Sequence, residues 1–358
     1  MEVFSMSDEL LVRSRIQNYS VQFVNDVFQI LLEEKGKPSF LIVDSVVHSL
    51  FREKFDGVID PDRHLLLEAN ELHKTYEYCG TIIQQLLKKN VRKNVKIVAI
   101  GGGVVQDVAA FCASIMFRGL EWVFVPTTLL AQADSCIGGK TSINFGEVKN
   151  TIGNFYPPSV IHIDLRFLDA LPEDDIKSGI GEILHFYYYA NSRFIGELYA
   201  EYAKLLADRS LLKPHILESL SIKKSVIEVD EFDKGERNKF NFGHTFGHAL
   251  ESVTNYGIKH GQAVTVGMDI ANMISYNSGL LDRRTYQELK SQLKTNFPSY
   301  QLSGIDIDTY VKFLSKDKKN VDEQLVCILS EGPGKLTKKK IPMDASFKEL
   351  IASYFRNA

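Results

Sequence analysis

The stretch VKIVAIGGGVVQDVAAFCASIMFRG, Val95 to Gly119, decides the fold. Val95 to Ile100 is a β-rich apolar run of strand length, too short for a buried helix. It breaks at Gly101-Gly102-Gly103, and the small and apolar residues from Val104 to Phe117 then read as a helix. A buried strand feeding a helix through glycines is one step of a parallel α/β sheet. Working outward, the form recurs: Phe40 to Val43 runs into Asp44, Trp122 to Val125 into Pro126-Thr127-Thr128, and Val160 to Ile163 into Asp164. These runs predict a doubly wound parallel sheet. In such sheets ligands collect outside the carboxyl ends of the strands. That singles out Asp44, the three glycines, Thr127 and Thr128.

From about Glu173 the pattern changes. Segments 194–207, 216–229, 262–279 and 284–295 carry apolar residues at three- and four-residue spacing, the mark of amphipathic helices. Leu325 to Leu329 reads as one short strand or hairpin before Gly332-Pro333-Gly334. The sequence therefore predicts two domains, an α/β domain over 1–175 and a mainly α-helical domain over 176–358.

A chain of 358 residues has ample material for both cores. Its net charge of −3 argues against nucleic acid or an anionic membrane as the main partner, so any anion site must be local. The four cysteines form no CxxC pair and read as reduced thiols, which predicts a cytoplasmic protein. No apolar run reaches the length of about 18 residues that a membrane helix needs. The start, MEVFSMSDELL, has no basic segment followed by an apolar one and does not read as a signal peptide.

Three groups of residues carry chemistry. The triple glycine opens a helix, where free N–H groups and the helix dipole favour an anion. Gln106 breaks the GxGxxG spacing, so the loop is either a phosphate cradle of another type or a tight turn. Asp107, one turn in, reads as a ligand contact or as a first-turn acid favoured by the dipole. Next, His244 and His248 lie four apart on one helix face, with His260 further on and Glu182 in a glycine-containing apolar segment. Thr245 stands where a HExxH protease has its glutamate. Two or three imidazoles with a carboxylate suit zinc, and isolated core or surface histidines are the alternative. Finally Arg118, Lys140, Lys149 and Asn150, near the loop that Asp134 opens, would suit a phosphate monoester, and Lys223 and Arg237 flank a later acidic stretch; each basic residue taken alone reads as a solvated surface charge. Lys338-Lys339-Lys340 reads as solvated.

Taken in order, GGGVVQD, FRG, VPTTLLAQADSCIGGKTSINF, KNTIGNFYPP, SGIGEILH, NFGHTFGHALE and KHGQAVTVGM resemble the dehydroquinate synthases, a family of sugar phosphate cyclases, over about residues 40 to 335. More distantly the chain is similar to the polyol dehydrogenases of the glycerol dehydrogenase type. The resemblance implies an NAD- and zinc-dependent lyase, with cobalt able to replace zinc. Such an enzyme converts 3-deoxy-D-arabino-heptulosonate 7-phosphate to 3-dehydroquinate and phosphate. It does so by transient oxidation, phosphate elimination, re-reduction and intramolecular aldol closure.

By that resemblance Glu182, His244 and His260 hold zinc. Gly101, Gly102, Gly103, Asp107, Thr127 and Thr128 line the NAD site, with Asp44, Glu71, Lys74 and Lys149 joining them. Arg118, Asp134, Lys140, Asn150, Asn241, His248 and Lys318 handle phosphate and the reacting chain. Lys223 and Arg237 hold the substrate carboxylate. The Arg118 position is supplied by a second subunit, which implies a homodimer. One departure stands out: the family reads Glu-x-x-Lys after the zinc glutamate, where this chain has His185. Because the family's lysine lies in the substrate pocket, His185 opens two alternatives: a sister cyclase acting on sedoheptulose 7-phosphate or glucose 6-phosphate, and a paralogue that binds NAD and metal without turnover. The more distant resemblance adds a third, a polyol dehydrogenase with net turnover of the cofactor.

Overall fold

The computed structural model describes residues 9–146, 148–316, 320 and 324–357, and Lys318 lies outside them. Contacts divide the chain into two units. The first holds the chain through Leu171 together with Lys223–Phe232; the second holds Pro172–Ile222 and the chain from Asp233 onward.

In the first unit, strands β1 (Glu9–Val12), β2 (Tyr19–Phe23), β3 (Ser39–Asp44), β4 (His64–Leu67), β5 (Lys96–Gly101) and β6 (Trp122–Pro126) precede a small hairpin. The hairpin pairs β7 (Ile143–Phe145) with β8 (Val148–Ile152), and β9 (Val160–Ile163) follows. The main sheet has the order β1-β2-β9-β6-β5-β3-β4. Only β1 runs antiparallel to its neighbour. The four apolar runs of the sequence are β3, β5, β6 and β9. All five residues of β6 are buried, as are Ile97 to Gly101 of β5. Burial on both faces is why such strands read as continuous apolar runs. The core between sheet and helices includes Val27, Phe28, Val43, Phe55, Ile100, Val125 and Phe167.

The strand order reverses beside β3. From β3 the chain moves outward to β4, then returns to β5 on the other side of β3 and continues to β6. The carboxyl ends of β3 and β5 therefore flank a topological switch point, where open α/β sheets take ligands. Asp44 ends β3 and Gly101 ends β5.

Among the described residues the only strands of the second unit are the hairpin β10 (Gln324–Ser330) and β11 (Leu336–Pro342), on which Lys338, Lys339 and Lys340 are exposed; the rest is mainly helical. Its centre is the helix His260–Asn277, in which every residue from Gly261 to Ser275 is buried. A helix buried all round is a core element. It packs against the helices Glu173–Ala190 and His244–Val253. The helices Phe194–Ala207, Lys213–Ile227 (whose last residues, from Lys223, belong to the first unit) and Arg283–Lys294 lie close to their expected spans, and Ile307–Ser315 and Ala345–Arg356 are helical as well.

The return of Lys223–Phe232 to the first unit has a visible cause. Glu228 accepts the Arg13 N–H at 2.8 Å, and Glu231 accepts the Ser14 hydroxyl at 2.5 Å and the Arg15 N–H at 2.8 Å. All four cysteines are buried and none is in a disulfide. Among the described residues no helix is long and apolar enough to cross a membrane.

Candidate active site

In the second unit three helices are brought together by close backbone approach. A Cβ on Gly181 would fall 2.0 Å from the Gly261 carbonyl oxygen, and one on Gly261 would fall 1.8 Å from that of Ser178. The Gly261 N–H also donates to Ser178 Oγ at 2.9 Å. Gly243 has φ +80°, and a Cβ there would meet the Val264 carbonyl oxygen at 2.7 Å. Each of these glycines adjoins a residue of the expected metal set: Glu182, His260 and His244. The crossing thus puts one carboxylate and two imidazoles in one place.

The result is a tight cluster. Ligand atoms of Glu182, His244 and His260 all lie within 4.8 Å of one another. Glu182 is 1% exposed. Its Oε1 accepts no hydrogen bond and sits 3.3 Å from His260 Nε2, while its Oε2 is 3.8 Å from His244 Nε2. A buried carboxylate with one oxygen left without a donor, its two oxygens facing two imidazole nitrogens, fits a divalent cation. The opposite ring nitrogens are tethered: His244 Nδ1 lies 3.3 Å from the Phe242 carbonyl, and His260 Nδ1 lies 3.1 Å from Glu251 Oε2. Burial works against charge on His260, but the carboxylates of Glu251 and Glu182 outweigh it and hold its pKa well above the usual imidazole range. A second trio, His248, Glu251 and His260, meets the same distance limit. The sequence reading passed over Glu251. Its position three residues after His248, on the same helix face, was the available signal.

His185 is fully buried. Its ring is 4.9 Å from that of His244 and 5.0 Å from Phe186, both edge-on, and 6.0 Å from Phe240. It is a packed part of the wall beside the carboxylate–imidazole cluster.

In the first unit the glycine loop sits at the switch point. A Cβ on Gly101 would fall 2.5 Å from Val105 Cγ2, whereas one on Gly103 would meet its nearest atom only at 4.0 Å. The loop opens the helix Gly103–Ile115, whose first N–H groups point to the strand ends. The Thr127 N–H donates to the Gly101 carbonyl at 3.0 Å, while its buried Oγ1 has no hydrogen-bond partner. An anion on this helix terminus and a donor or acceptor for Thr127 fit a dinucleotide. Thr128 Oγ1 caps Ala131 N at 3.2 Å.

Asp44 caps Val46 N at 2.8 Å, and burial pushes its carboxyl up. Asp107 is not a lone first-turn acid. Lys74 donates to it at 2.8 Å and the Ser142 N–H at 3.0 Å. Burial raises its pKa even against the nearby Lys74. Glu71 lies 3.8 Å from Lys74 and 3.7 Å from Lys149, and accepts from Asn144 at 3.1 Å. Asn144 in turn accepts the Asn150 N–H at 2.9 Å. The expected residues Glu71, Lys74, Asp107, Lys149 and Asn150 therefore form one connected network, joined through Asn144.

The remaining polar residues are more dispersed. Lys223 is 7% exposed and donates to both Asp134 Oδ1 (2.8 Å) and the Asp134 carbonyl (2.7 Å). Arg118 and Lys140 are exposed. Phe117 and Arg118 both have left-handed φ values, 52° and 66°, and Gly119 follows at 120°. This turn lifts Arg118 off the helix end, and Tyr156 braces it by donating to the Leu120 carbonyl at 2.9 Å. In the second unit Arg237 is buried, Asn241 donates to the Asn238 carbonyl at 2.8 Å, and His248 is exposed. The His248 ring lies 5.5 Å from His244 and 5.6 Å from His260.

Comparison with known proteins follows the same two halves. The 3-dehydroquinate synthase N-terminal profile matches residues 64–178, and the 3-dehydroquinate synthase C-terminal profile matches residues 179–320. A 3-dehydroquinate synthase of Streptococcus pyogenes serotype M5 is 33% identical over 362 residues, covering 97% of this chain and 99% of its own. A 2-deoxy-scyllo-inosose synthase, solved with carbaglucose-6-phosphate, NAD+ and Co2+, superposes with TM-score 0.83 at 25% identity. The match covers 98% of this chain and all of that one. The 2-epi-5-epi-valiolone synthase of Streptomyces hygroscopicus subsp. jinggangensis, solved with NAD+ and Zn2+, shares the fold with TM-score 0.85 at 21% identity, covering 97% of this chain and 99% of its own.

Proposed function

The chain belongs to the 3-dehydroquinate synthase family, and from that premise we propose how its residues carry the reaction. The substrate is 3-deoxy-D-arabino-heptulosonate 7-phosphate, and the products are 3-dehydroquinate and phosphate. The enzyme is thus a carbon–oxygen lyase. The observation that carries this reading is the buried Glu182 carboxylate, its Oε1 orphaned beside His260 and its Oε2 facing His244.

Glu182, His244 and His260 would hold zinc or cobalt, and the glycine loop with Asp44, Glu71, Lys74, Asp107, Thr127, Thr128 and Lys149 would hold NAD. When bound, the ion supplies Lewis acidity to a substrate hydroxyl, and the dinucleotide takes and returns one hydride. The chain itself does the rest. Lys223, oriented by Asp134, and Arg237 anchor the substrate carboxylate. Lys140, Asn150, Asn241, Lys318 and an Arg118 from a second copy of the chain hold the phosphate end. Anchoring both ends makes ring closure effectively intramolecular. His248, exposed beside both metal-set histidines, is suited to move the hydroxyl proton. We place the enzyme in the cytoplasm as a homodimer.

His185 favours a second reading, a sister cyclase for a sugar phosphate without a carboxylate, because a buried ring stands where the family has a lysine. One experiment separates the two. Phosphate release is measured with NAD and zinc for the heptulosonate phosphate, sedoheptulose 7-phosphate and glucose 6-phosphate. Release confined to the carboxylate substrate, and abolished in His248→Ala, is expected. Turnover of either carboxylate-free sugar alone would overturn the assignment.

A further inference from the structure

We propose that Glu251 is a positioning residue for the metal: it fixes the His260 ring so that Nε2 faces Glu182. The inference rests on the metal reading of the Glu182, His244 and His260 cluster and extends it to a residue outside that set.

The two imidazoles of the cluster are held by different means. His244 Nδ1 faces the Phe242 carbonyl at 3.3 Å, a main-chain oxygen two residues away that no substitution removes. His260 is the first residue of its helix, and Lys259 before it makes no side-chain cap. The group on the outer side of its ring is Glu251 Oε2, 3.1 Å from Nδ1. An ionised carboxylate can only accept, so Nδ1 must carry the proton that points to it. Nε2, on the far side of the ring and 3.3 Å from Glu182 Oε1, is then the nitrogen offered to a cation. A carboxylate behind a ligand histidine fixes both tautomer and ring orientation, and it makes the imidazole a stronger donor.

Glu251 is well placed for this. Its side chain is 14% exposed, so little water competes for the contact. It lies on the helix His244–Val253, which also carries His244, so one rigid element supplies a ligand and the brace for another. Glu251 also belongs to the trio with His248 and His260. As a ligand there it would need His260 Nδ1 free of its proton. A neutral imidazole offers one unprotonated nitrogen, and the geometry places that nitrogen, Nε2, toward Glu182. Bracing is the role the geometry supports.

The test uses the full-length protein, stripped of metal and reloaded. Zn2+ and Co2+ affinities are measured by competition with a chromogenic chelator for wild type, Glu251→Gln and Glu251→Leu. Circular dichroism and melting of the metal-free proteins confirm that each variant folds, and NAD affinity is the internal control. Both variants approximate the glutamate in size. Glu251→Leu removes the acceptor and is expected to weaken metal binding by about 10- to 100-fold. Glu251→Gln keeps an acceptor oxygen and is expected to lose clearly less. The visible spectrum of the Co2+ form should shift in the leucine variant, while NAD affinity stays at the wild-type value. Wild-type metal affinity in both variants would overturn the proposal. So would loss of a second equivalent of metal with the first unchanged, since Glu251 would then be a ligand. A wild-type protein that binds neither ion would refute the metal reading itself, a result distinct from equal binding by wild type and variants.

Discussion

The two candidate sites are built on opposite principles. The cofactor loop of the first unit stands on strand ends, and the charges near it are already paired: Lys74 with Asp107, and Lys149 near Glu71. The cluster of the second unit stands on a helix crossing, where backbone touches backbone and Glu182 Oε1 accepts no hydrogen bond. The first site is held by side chains and should fail by degrees. The second is held by the absence of side chains and should fail at once.

Glycine substitution tests this contrast most severely. Gly261→Ala puts a methyl 1.8 Å from the Ser178 carbonyl oxygen, a backbone atom that cannot swing away. Overpacking of this kind is expected to cost about 3 kcal/mol or more, lowering Tm by about 6–12 °C. The crossing would open and metal binding would be lost, read by chelator competition. Gly103→Ala meets nothing closer than 4.0 Å. It should melt like wild type and change only NAD affinity. Equal melting of the two variants would erase the distinction between the sites.

The charge network gives a middle-sized effect with a sign that depends on pH. Lys74→Met removes the buried donor to Asp107 and is expected to destabilise by about 2 kcal/mol at neutral pH. Burial already raises the Asp107 pKa, and Lys74 opposes that rise. Without the lysine the folded-state pKa climbs further above the unfolded value. The folded variant then binds a proton the unfolded chain has released, so stability falls as pH rises through this window. The deficit against wild type should therefore be larger at pH 8 than at pH 5, measured by melting at both. A deficit independent of pH would show that Asp107 does not feel the loss.

The same contrast explains what could be read from the sequence. β3, β5 and β6 were legible because strands buried on both faces leave continuous apolar runs, and β9 because Val160, Ile161 and Ile163 are β-branched although only Ile161 and Ile163 are buried. β4 was not: it is an edge strand of four residues, of which only Leu67 is buried. β1, at the opposite edge, went unread for the same reason, and β2 beside it buries only Tyr19 and Val21 among polar residues. The return of Lys223–Phe232 to the first unit was also hidden. Its anchors, Glu228 and Glu231, look like solvated acids until their partners more than two hundred residues away are known. At the carboxylate–imidazole cluster, the spacing of His244 and His248 alone left open which histidines meet Glu182; the crossing brings His244 and His260 to it, as the family resemblance implied, and leaves His248 exposed. Glycine carries this information, and a glycine that permits close approach looks in sequence like one that makes a turn. His185 was read against a lysine in an open pocket. Its burial depends on Phe240 and His244, distant in the chain, as well as on its neighbour Phe186.

The smallest expected effect sharpens the comparison from the other side. Thr127 Oγ1 is buried without a hydrogen-bond partner, the counterpart in the first unit of the Glu182 oxygen. Replacing an unsatisfied buried hydroxyl by an apolar group of the same shape is nearly neutral for folding. Thr127→Val should therefore leave Tm within about 2 °C of wild type, or raise it slightly. If the hydroxyl meets the dinucleotide, NAD affinity should fall by about 3- to 10-fold, the worth of one hydrogen bond. Calorimetric titration with NAD reads this directly. An unchanged affinity would separate Thr127 from the cofactor and leave the glycine loop to hold it through backbone N–H groups alone.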